Sequence, residues 1–585
     1  MSNQVEVSKV DRNHLKLNGG KASWNVVDGD TYKAVIREVF QSVAERISFT
    51  MGPYGGDTVF EHAGQTYMTK DGWTVLKNIS YDNPVYNSIL NLLKNVSAPV
   101  VIKVGDGSSS AVCAANNIYN NLMEAKILSK YRPKDVVKTM EDVCETICDE
   151  ILKRSIKIDP DGDLEEIYKI ALTSTNQNDL FASTILDIYK QTGNSTIELI
   201  ESKGSKTSYE IINGFKGNGM YLDRAYQTSD DGRCVIENPV VLAFDFKIDE
   251  NEYEAVIKPT IQKALAENRR AVVFAPYYSD SLLEKIRYLA NQELKATGKT
   301  TVVYCRVPIV AQDMIENYND FIMMLGGTMI TQTVMVDLLP KFEVDPKTRK
   351  RVKIEDAKMI PTDCIGTCAT LTVSDKYTMI DGINNRKEAE YNLILQDVKA
   401  QLKTANEDSE NLNIVSNRSF SLKKRLSKLE GSMGVIYVGG RSMLEKRANM
   451  DALDDAIKAC ESAYIYGYNI GGSLIIPIVC KHMATSGGEL ETALVSLISR
   501  SMTDVYRQVL NKYYSKEEDE EVIDGIIEKC LETEEIFDLI DKDYSRDVVN
   551  PCMTDIEVLK ASTTMSSLLI SSNQYISIAP SEDIF

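Results

Sequence analysis

Residues 104–118 read VGDGSSSAVCAANNI: an acidic residue, Asp106, stands between two glycines, three serines follow, and then small and apolar residues recur at helical spacing. Glycines on both sides let the backbone turn sharply and approach a ligand closely. The helix opening at the serines would aim its first free N–H groups and the positive end of its dipole into that turn. An anion belongs there. Ser108, Ser109 and Ser110 add hydroxyl donors for phosphate oxygens, and Asp106 offers a hard oxygen ligand for the Mg2+ that accompanies nucleotide phosphates. The competing reading is an ordinary helix start, where serine and aspartate are favoured caps for local reasons.

Two neighbouring stretches have the same character. MGPYGGDTV (51–59) is a glycine-rich turn after a helix, and TKDGWTVL (69–76) sets Asp71 just ahead of Gly72. Each alone reads as a turn. With the 104–118 stretch they form a constellation of glycines, hydroxyls and two carboxylates. No G-x-x-x-x-G-K-[ST] loop, Rossmann glycine fingerprint or kinase catalytic set occurs, so the common nucleotide folds are not indicated.

Composition bounds the chemistry. A chain of 585 residues with 43% hydrophobic residues predicts a globular protein of two or more domains. The net charge of −19 disfavours nonspecific binding to nucleic acid or to an anionic membrane, so neither is expected as a partner. The N-terminal stretch lacks the apolar segment of a secretory signal. Eleven cysteines without a C-x-x-C pair suggest a reduced, intracellular chain. Only three histidines occur, His14, His62 and His482, each isolated, which leaves little for a zinc site or a histidine-centred triad. Any chemistry rests on carboxylates, hydroxyls and backbone.

The chain begins and ends helical. TYKAVIREVFQSVAERISFTM carries Val35, Val39, Phe40, Val43 and Ile47 on one stripe, and the segment from Pro133 carries Val136, Met140, Val143, Ile147 and Ile151. In the middle, VVLAF (240–244), AVVFA (271–275) and TVVYCRV (301–307) alternate with helical patterns, which predicts an α/β domain inserted into a helical one. The charge runs KTRKR (347–351) and SKEEDEE (515–521) read as exposed loops or helix faces.

Taken in order and spacing, the three glycine-rich segments resemble the chaperonin family, in particular group I, whose hallmarks are T-x-G-P-x-G, T-K-D-G and G-D-G-T-T-T. Here they stand as Thr50-Met51-Gly52-Pro53-Tyr54-Gly55, Thr69-Lys70-Asp71-Gly72 and Gly105-Asp106-Gly107-Ser108-Ser109-Ser110, with Asp71 and Asp106 separated by 35 positions as in the family. Further along, residues 434–473 resemble the family's V-G turn, charged helix and glycine-rich loop. Met450, Leu453, Ile457, Cys460 and Tyr464 are expected to form that helix's apolar side, with Asp455 beside it. Counted back from Gly467, Asp455 matches the family's hydrolytic carboxylate; Asp451 and Asp454 are rivals on spacing alone, and a solvated helix face is the alternative for each.

The resemblance implies an ATPase in which Asp455 orients water, Asp71 assists and Asp106 binds Mg2+. It implies nucleotide contacts at Thr50, Met51, Gly52, Pro53, Lys70, Gly107, Ser108, Ser109, Ser110, Gly471, Gly472 and Asn550, and a K+ ion at the backbone carbonyls of Thr50 and Lys70. There are departures. Serines replace the three threonines, the glycine triplet reads Gly471-Gly472-Ser473, and Asn550-Pro551 stands where the family usually has aspartate before proline. Asparagine accepts a ribose hydrogen bond more weakly than a carboxylate, so nucleotide affinity or selectivity is expected to differ.

The implied architecture is an α+β multidomain chaperonin fold. A mainly helical equatorial domain (1–155 and 466–585) binds ATP, a small α/β intermediate domain (156–213 and 433–465) links, and an α/β apical domain (214–432) holds clients. Tyr221, Tyr226, Ile257, Ile261, Leu283 and Ile286 are expected to offer clients an exposed apolar groove, with ordinary packing on the sheet as the alternative. Lys258, Ala225 and Arg287 stand where the family tends to larger apolar residues. The expected activity is ATP-driven folding of non-native polypeptides in a ring of about seven subunits, single or double, with a lid-forming co-chaperonin as a further partner. A hydrolysis-impaired structural ring or holdase is the alternative, and an unrelated phosphotransferase a third reading. The divergence, including a C-terminal SNQYISIAPSEDIF without a glycine-methionine tail, resembles an outlying member of the kind encoded by large bacteriophages, acting in the cytoplasm of a bacterium or of an infected host.

Overall fold

The computed structural model describes residues 24–578 apart from 63–64, 160–161, 230–231, 310–311, 345–348, 350, 376, 384–385, 413–416, 431, 484–487 and 515–518. His14, the end of the chain from 579, and parts of both charge runs lie outside the described residues. The chain divides into two compact units. One comprises residues 1–191, 202–208 and 438–585, the other 192–201 and 209–437. The helical parts of the expected linking domain, 156–191 and 438–465, thus pack within the first unit.

The first unit is built on helices whose apolar stripes were legible. Helix Gly29–Ser48 buries Val35, Val39, Phe40, Val43 and Ile47, and helix Pro133–Arg154 buries Val136, Met140, Val143, Ile147 and Ile151. Pro133 suits the first turn, where its missing N–H leaves no bond unmade, and Lys153 with Arg154 complements the dipole at the other end. Helix Ser108–Glu124 runs among helices Gly29–Ser48, Glu489–Leu510 and Cys552–Ile570. Its buried run Ala111, Val112, Cys113, Ala114, Ala115 is small enough for backbones to approach closely, and Ser566 donates to the Ala115 carbonyl at 3.2 Å. Helix Cys552–Ile570 is buried on nearly every side and so carries no single apolar stripe. All eleven cysteines are buried and unpaired, and no helix among the described residues is long and apolar enough to cross a membrane.

Two short pairings position the site. Hairpin Thr58–His62 with Gln65–Thr69 delivers residues 69–72 next to the 50–56 turn. Strand Tyr468–Ile470 runs antiparallel to Val549–Pro551, with Asn469 opposite Asn550, which brings the 471–473 turn beside Asn550.

The second unit contains the expected α/β pattern. Val240–Ala243, Ala271–Ala275 and Val302–Arg306 form parallel neighbours, with Met220–Tyr221 antiparallel at the edge. A six-stranded sheet that the sequence reading did not anticipate runs in the order Thr196–Glu201, Ser432–Val438, Ser208–Gly217, Thr378–Asp381, Thr370–Val373, Cys234–Glu237. Between helices, Arg425 grips Asp320 through two bonds of 2.7 and 2.9 Å and reaches Glu316 at 2.6 Å.

The exposed client groove requires correction. Tyr221, Tyr226, Ile257, Ile261 and Ile286 are all members of this unit's hydrophobic core, and Leu283 packs against it half-buried. Ile261 on helix Lys258–Ala266, Ile257 in the helical turn just before it, and Leu283 and Ile286 on helix Asp280–Thr297 are spaced as side chains facing the core, and the same spacing serves an exposed stripe or a packed one. The exposed large apolar side chains on helix Asp280–Thr297 are instead Tyr288 and Leu289, with Tyr277 nearby in sequence. Lys258 is held by Glu254 at 2.7 Å, and Arg287 lies 3.7 Å from Asp223.

Candidate functional site

A cavity of about 610 Å³ opens within the first unit. Thr50, Met51, Gly52 and Pro53 line it, as do Lys70, Asp71, Asp106, Gly107 and the three serines 108–110. Asp455, Gly472 and Asn550 complete the predicted residues on its wall. Gly471 does not line it; its N–H donates to the Val548 carbonyl at 2.9 Å, and a β-carbon there would stand 2.9 Å from the same oxygen.

The Ser108–Glu124 helix starts without a side-chain cap. Its N-cap is Gly107, at φ 96° and ψ 0°, and no side chain bonds its first N–H groups. The ordinary-cap reading of the three serines is therefore not what the local geometry displays. Ser108 is buried and Ser109 and Ser110 are half-buried on the cavity wall. The Asp106 carboxylate accepts from its neighbour Gly107 N–H at 2.5 Å and opens onto the cavity. Gly107 has to be glycine twice over: its φ is left-handed, and a β-carbon would stand 2.8 Å from Val558 Cγ2 and 2.9 Å from Thr554 Cγ2.

Asp71 does cap a helix. Its two carboxylate oxygens accept from the Trp73 and Thr74 N–H groups, each at 2.9 Å. That fixes the carboxylate at the cavity wall and leaves each oxygen a lone pair for a further donor.

Helix Met443–Tyr466, capped by Ser442 on the Glu445 N–H at 3.1 Å, supplies the remaining acids. Its core face differs from the expected stripe: Leu453, Ala456, Ala459, Cys460 and Ala463 are buried, whereas Met450, Ile457 and Tyr464 are only half-buried. The small alanines carry the packing, which a search for large apolar residues passes over. Ala448, Asp451, Ala452 and Asp455 recur at helical spacing along the cavity side. Asp454 points off that side and pairs with Lys458 at 2.6 Å.

The electrostatics are those of crowded acids. Burial pushes the Asp455 carboxyl well above the usual range, and the charges of Asp71, Asp106 and Asp454 push it further, against Lys458. Although Asp106 is open to the cavity, desolvation by the surrounding walls raises it, the Gly107 N–H pulls it back and Asp71 raises it again. Asp451 is pushed up to about 6 by burial and by Asp71. Burial lowers Lys70, against the pull of Asp57. Several carboxyls raised in one cleft mark a place where positive charge is wanted. Free N–H groups and hydroxyls on the same wall suit an anion. A metal-bound phosphate meets both demands. Among the described residues no three His, Cys, Asp or Glu side chains gather as a complete metal cage.

Some wall residues escaped the sequence reading. Thr173 and Ser174 end helix Glu165–Ser174, and Thr175, Asn176 and Gln177 turn away from it, with Asn176 (φ 55°) and Gln177 (φ 66°) consecutively left-handed. Their signal was the uninterrupted run of hydroxyls and amides between two helical patterns. Tyr506, Ile536, Phe537 and Leu539 give the cavity an apolar side, and Ser473 lines it beside Asn550.

Comparison with known proteins agrees with this architecture. The model of the TCP-1/cpn60 chaperonin family matches residues 43–482, and the chain belongs to that family. Among solved structures, a crystal structure of the chaperonin gp146 from the bacteriophage EL 2 (Pseudomonas aeruginosa) in presence of ATP-BeFx superposes with a TM-score of 0.71 at 16% identity, covering 94% of this chain and 98% of that one. A second crystal form of the same protein gives a TM-score of 0.69 at 16% identity, over 94% and 99% of the two chains. The fold is the α+β multidomain chaperonin fold.

Proposed function

We propose that this protein is an ATP-dependent molecular chaperone that binds non-native polypeptides and assists their folding in a ring-shaped chamber. The observation that carries the proposal is the meeting of Asp71, Asp106 and Asp455 on one cavity wall with an uncapped helix N-terminus bearing three serines. Family membership, and the ATP analogue present with the phage chaperonin of the same fold, support the nucleotide assignment.

In this reading ATP lies with its phosphates against Gly52, Gly107 and the Ser108–Ser110 N–H and hydroxyl groups. Asp106 would hold Mg2+, which supplies charge neutralisation at the phosphate oxygens. The backbone carbonyls of Thr50 and Lys70 would serve K+. Asp455, its carboxyl raised by burial and then by its acidic neighbours, accepts a proton from the attacking water and orients it, because phosphoryl transfer asks chiefly for positioning and charge neutralisation. Asp71, pinned by its two backbone bonds, assists. The equatorial (1–155, 466–585), intermediate (156–213, 433–465) and apical (214–432) division belongs to the same proposal. So do a ring of about seven subunits, single or double, and a lid-forming co-chaperonin. Clients bind exposed apolar surface of the apical part.

ATP turnover of Asp455→Ala, Asp451→Ala and Asp454→Ala at saturating Mg-ATP tests the assignment. Asp455→Ala should bind nucleotide yet turn over slower by about 100-fold or more, and Asp454→Ala should stay near the parent. If Asp451→Ala alone abolishes turnover, the roles of the two cavity-facing acids are exchanged. A parent protein that binds ATP and clients without hydrolysis would be the holdase instead.

A further inference from the structure

Asp555 is fully buried, and it does not line the cavity. It stands in the first turn of helix Cys552–Ile570, whose N-cap, Pro551, makes no side-chain bond. A carboxylate in a first turn suits the helix dipole at an exposed site. That does not account for one taken out of water with its Oδ2 lacking any hydrogen-bond partner.

Two residues that do line the cavity turn their side chains to it. Asn550 Nδ2 donates to Asp555 Oδ1 at 3.4 Å, and the Ser473 hydroxyl stands near enough to the carboxyl to steady its charged form. Ser473 adopts φ 56°, in the left-handed region where a β-carbon is disfavoured and glycine would rest more easily. The hydroxyl it carries is the compensating feature. An amide that gives its Nδ2 hydrogens to a carboxylate must turn its Oδ1 the other way, as an acceptor. Asparagine at residue 550 and serine at residue 473 were the two departures noted in the glycine-rich and Asn-Pro segments, and both converge on this one acid. Burial holds the carboxyl up at about 7, with Ser473 and Asn550 pulling it down and Asp106 adding to the rise.

We propose that Asp555 is a positioning residue that fixes the Asn550 amide and the Ser473 hydroxyl as acceptors for the ribose hydroxyls of the nucleotide. Asp555 itself touches no ligand. The vicinal hydroxyls of a ribose are donors, and a wall carrying two pre-oriented acceptors selects them over a deoxy sugar. The inference rests on the nucleotide reading above and deepens it.

The test is binding of ATP and of 3′-deoxy-ATP to the full chain, to Asp555→Asn, and to the exchanged pair Asn550→Asp/Asp555→Asn, followed by calorimetry. The parent should prefer ATP by about tenfold, the scale of a buried hydrogen bond. In Asp555→Asn the preference should shrink to about twofold or less, because an amide no longer dictates which way Asn550 faces. The exchanged pair should regain it, since the amide introduced at residue 555 would then donate to the carboxylate introduced at residue 550. An Asp555→Asn protein with the parent's preference overturns the inference. So does a folded exchanged pair that stays indifferent to the sugar. A parent that binds neither nucleotide overturns the nucleotide reading itself, so the two failures are separable.

Discussion

Gly72 and Ser109 face each other so closely that a β-carbon on Gly72 would stand 1.8 Å from the Ser109 hydroxyl oxygen and 3.1 Å from its β-carbon. Ser109 also lies 3.4 Å from the Thr50 hydroxyl, so the three glycine-rich segments meet at this serine. Gly72→Ala should therefore displace the hydroxyl, destabilise the fold by about 1–3 kcal/mol as an overpacked site does, and cut ATP turnover by about tenfold or more. Adding Ser109→Ala should restore most of the stability without restoring turnover. Thermal unfolding and ATPase assays of the single and double variants check both halves.

Gly107 combines strain with contact. Alanine there must hold φ near 96° and fit a methyl 2.8 Å from Val558, which together should cost about 2–4 kcal/mol. Gly525, in the interior of helix Glu520–Thr533 with nothing within 4 Å of a β-carbon, is the opposite case. Gly525→Ala should stabilise by about 0.5–1 kcal/mol through helix propensity alone. Denaturant unfolding that ranks the two variants the other way would contradict this account of the helix start.

What was legible in the sequence was what repeats or clusters locally. The apolar stripes of Gly29–Ser48 and Pro133–Arg154, the continuous strands near 240, 271 and 302, and the glycine-rich wall of the cavity all announce themselves within about ten residues. The six-stranded sheet did not, because its neighbours Thr196–Glu201 and Ser432–Val438 come from distant parts of the chain. Strand Cys234–Glu237 offers just four residues of alternating burial. The face of helix Met443–Tyr466 was misread because alanines make its contacts. Burial of Ile257 and Ile286 was undecidable from period alone: a helix facing a sheet and a helix facing a client share one pattern. Asp555 was invisible because nothing in a helical run NPCMTDIEVL distinguishes a dipole-facing acid from one held beneath a cavity wall.

If apolar surface on helix Asp280–Thr297 captures clients, it is the exposed Tyr288 and Leu289 that do so. Tyr288→Ser/Leu289→Ser should leave the unfolding temperature nearly unchanged and reduce suppression of aggregation of a chemically denatured protein by several-fold. Ile286→Ala should instead cost about 2–5 kcal/mol, as core truncations do. A light-scattering assay in which the double serine variant protects clients as well as the parent would place client binding elsewhere.

Asp555 also ties stability to pH. Its folded-state carboxyl is raised to about 7, above the ordinary 3.8. Between those values the native state holds the proton and the unfolded chain does not, so protonation favours the fold at the acid end. The contribution is present at low pH and is lost as pH rises through about 7, the reverse of a salt-bridged aspartate. In Asp555→Asn the proton is no longer needed, and the same Ser473 and Asn550 partners remain. The nucleotide-free variant should thus match the parent near pH 4, gain on it as pH rises toward 7, and unfold about 2–4 °C higher near pH 8. Calorimetric scans across that range decide it: a variant less stable than the parent at pH 8 would mean that the buried acid is ionised and well paired, and the unsatisfied Oδ2 would need another explanation. A gain in stability joined to a loss of sugar selectivity is the trade expected of a residue retained for binding.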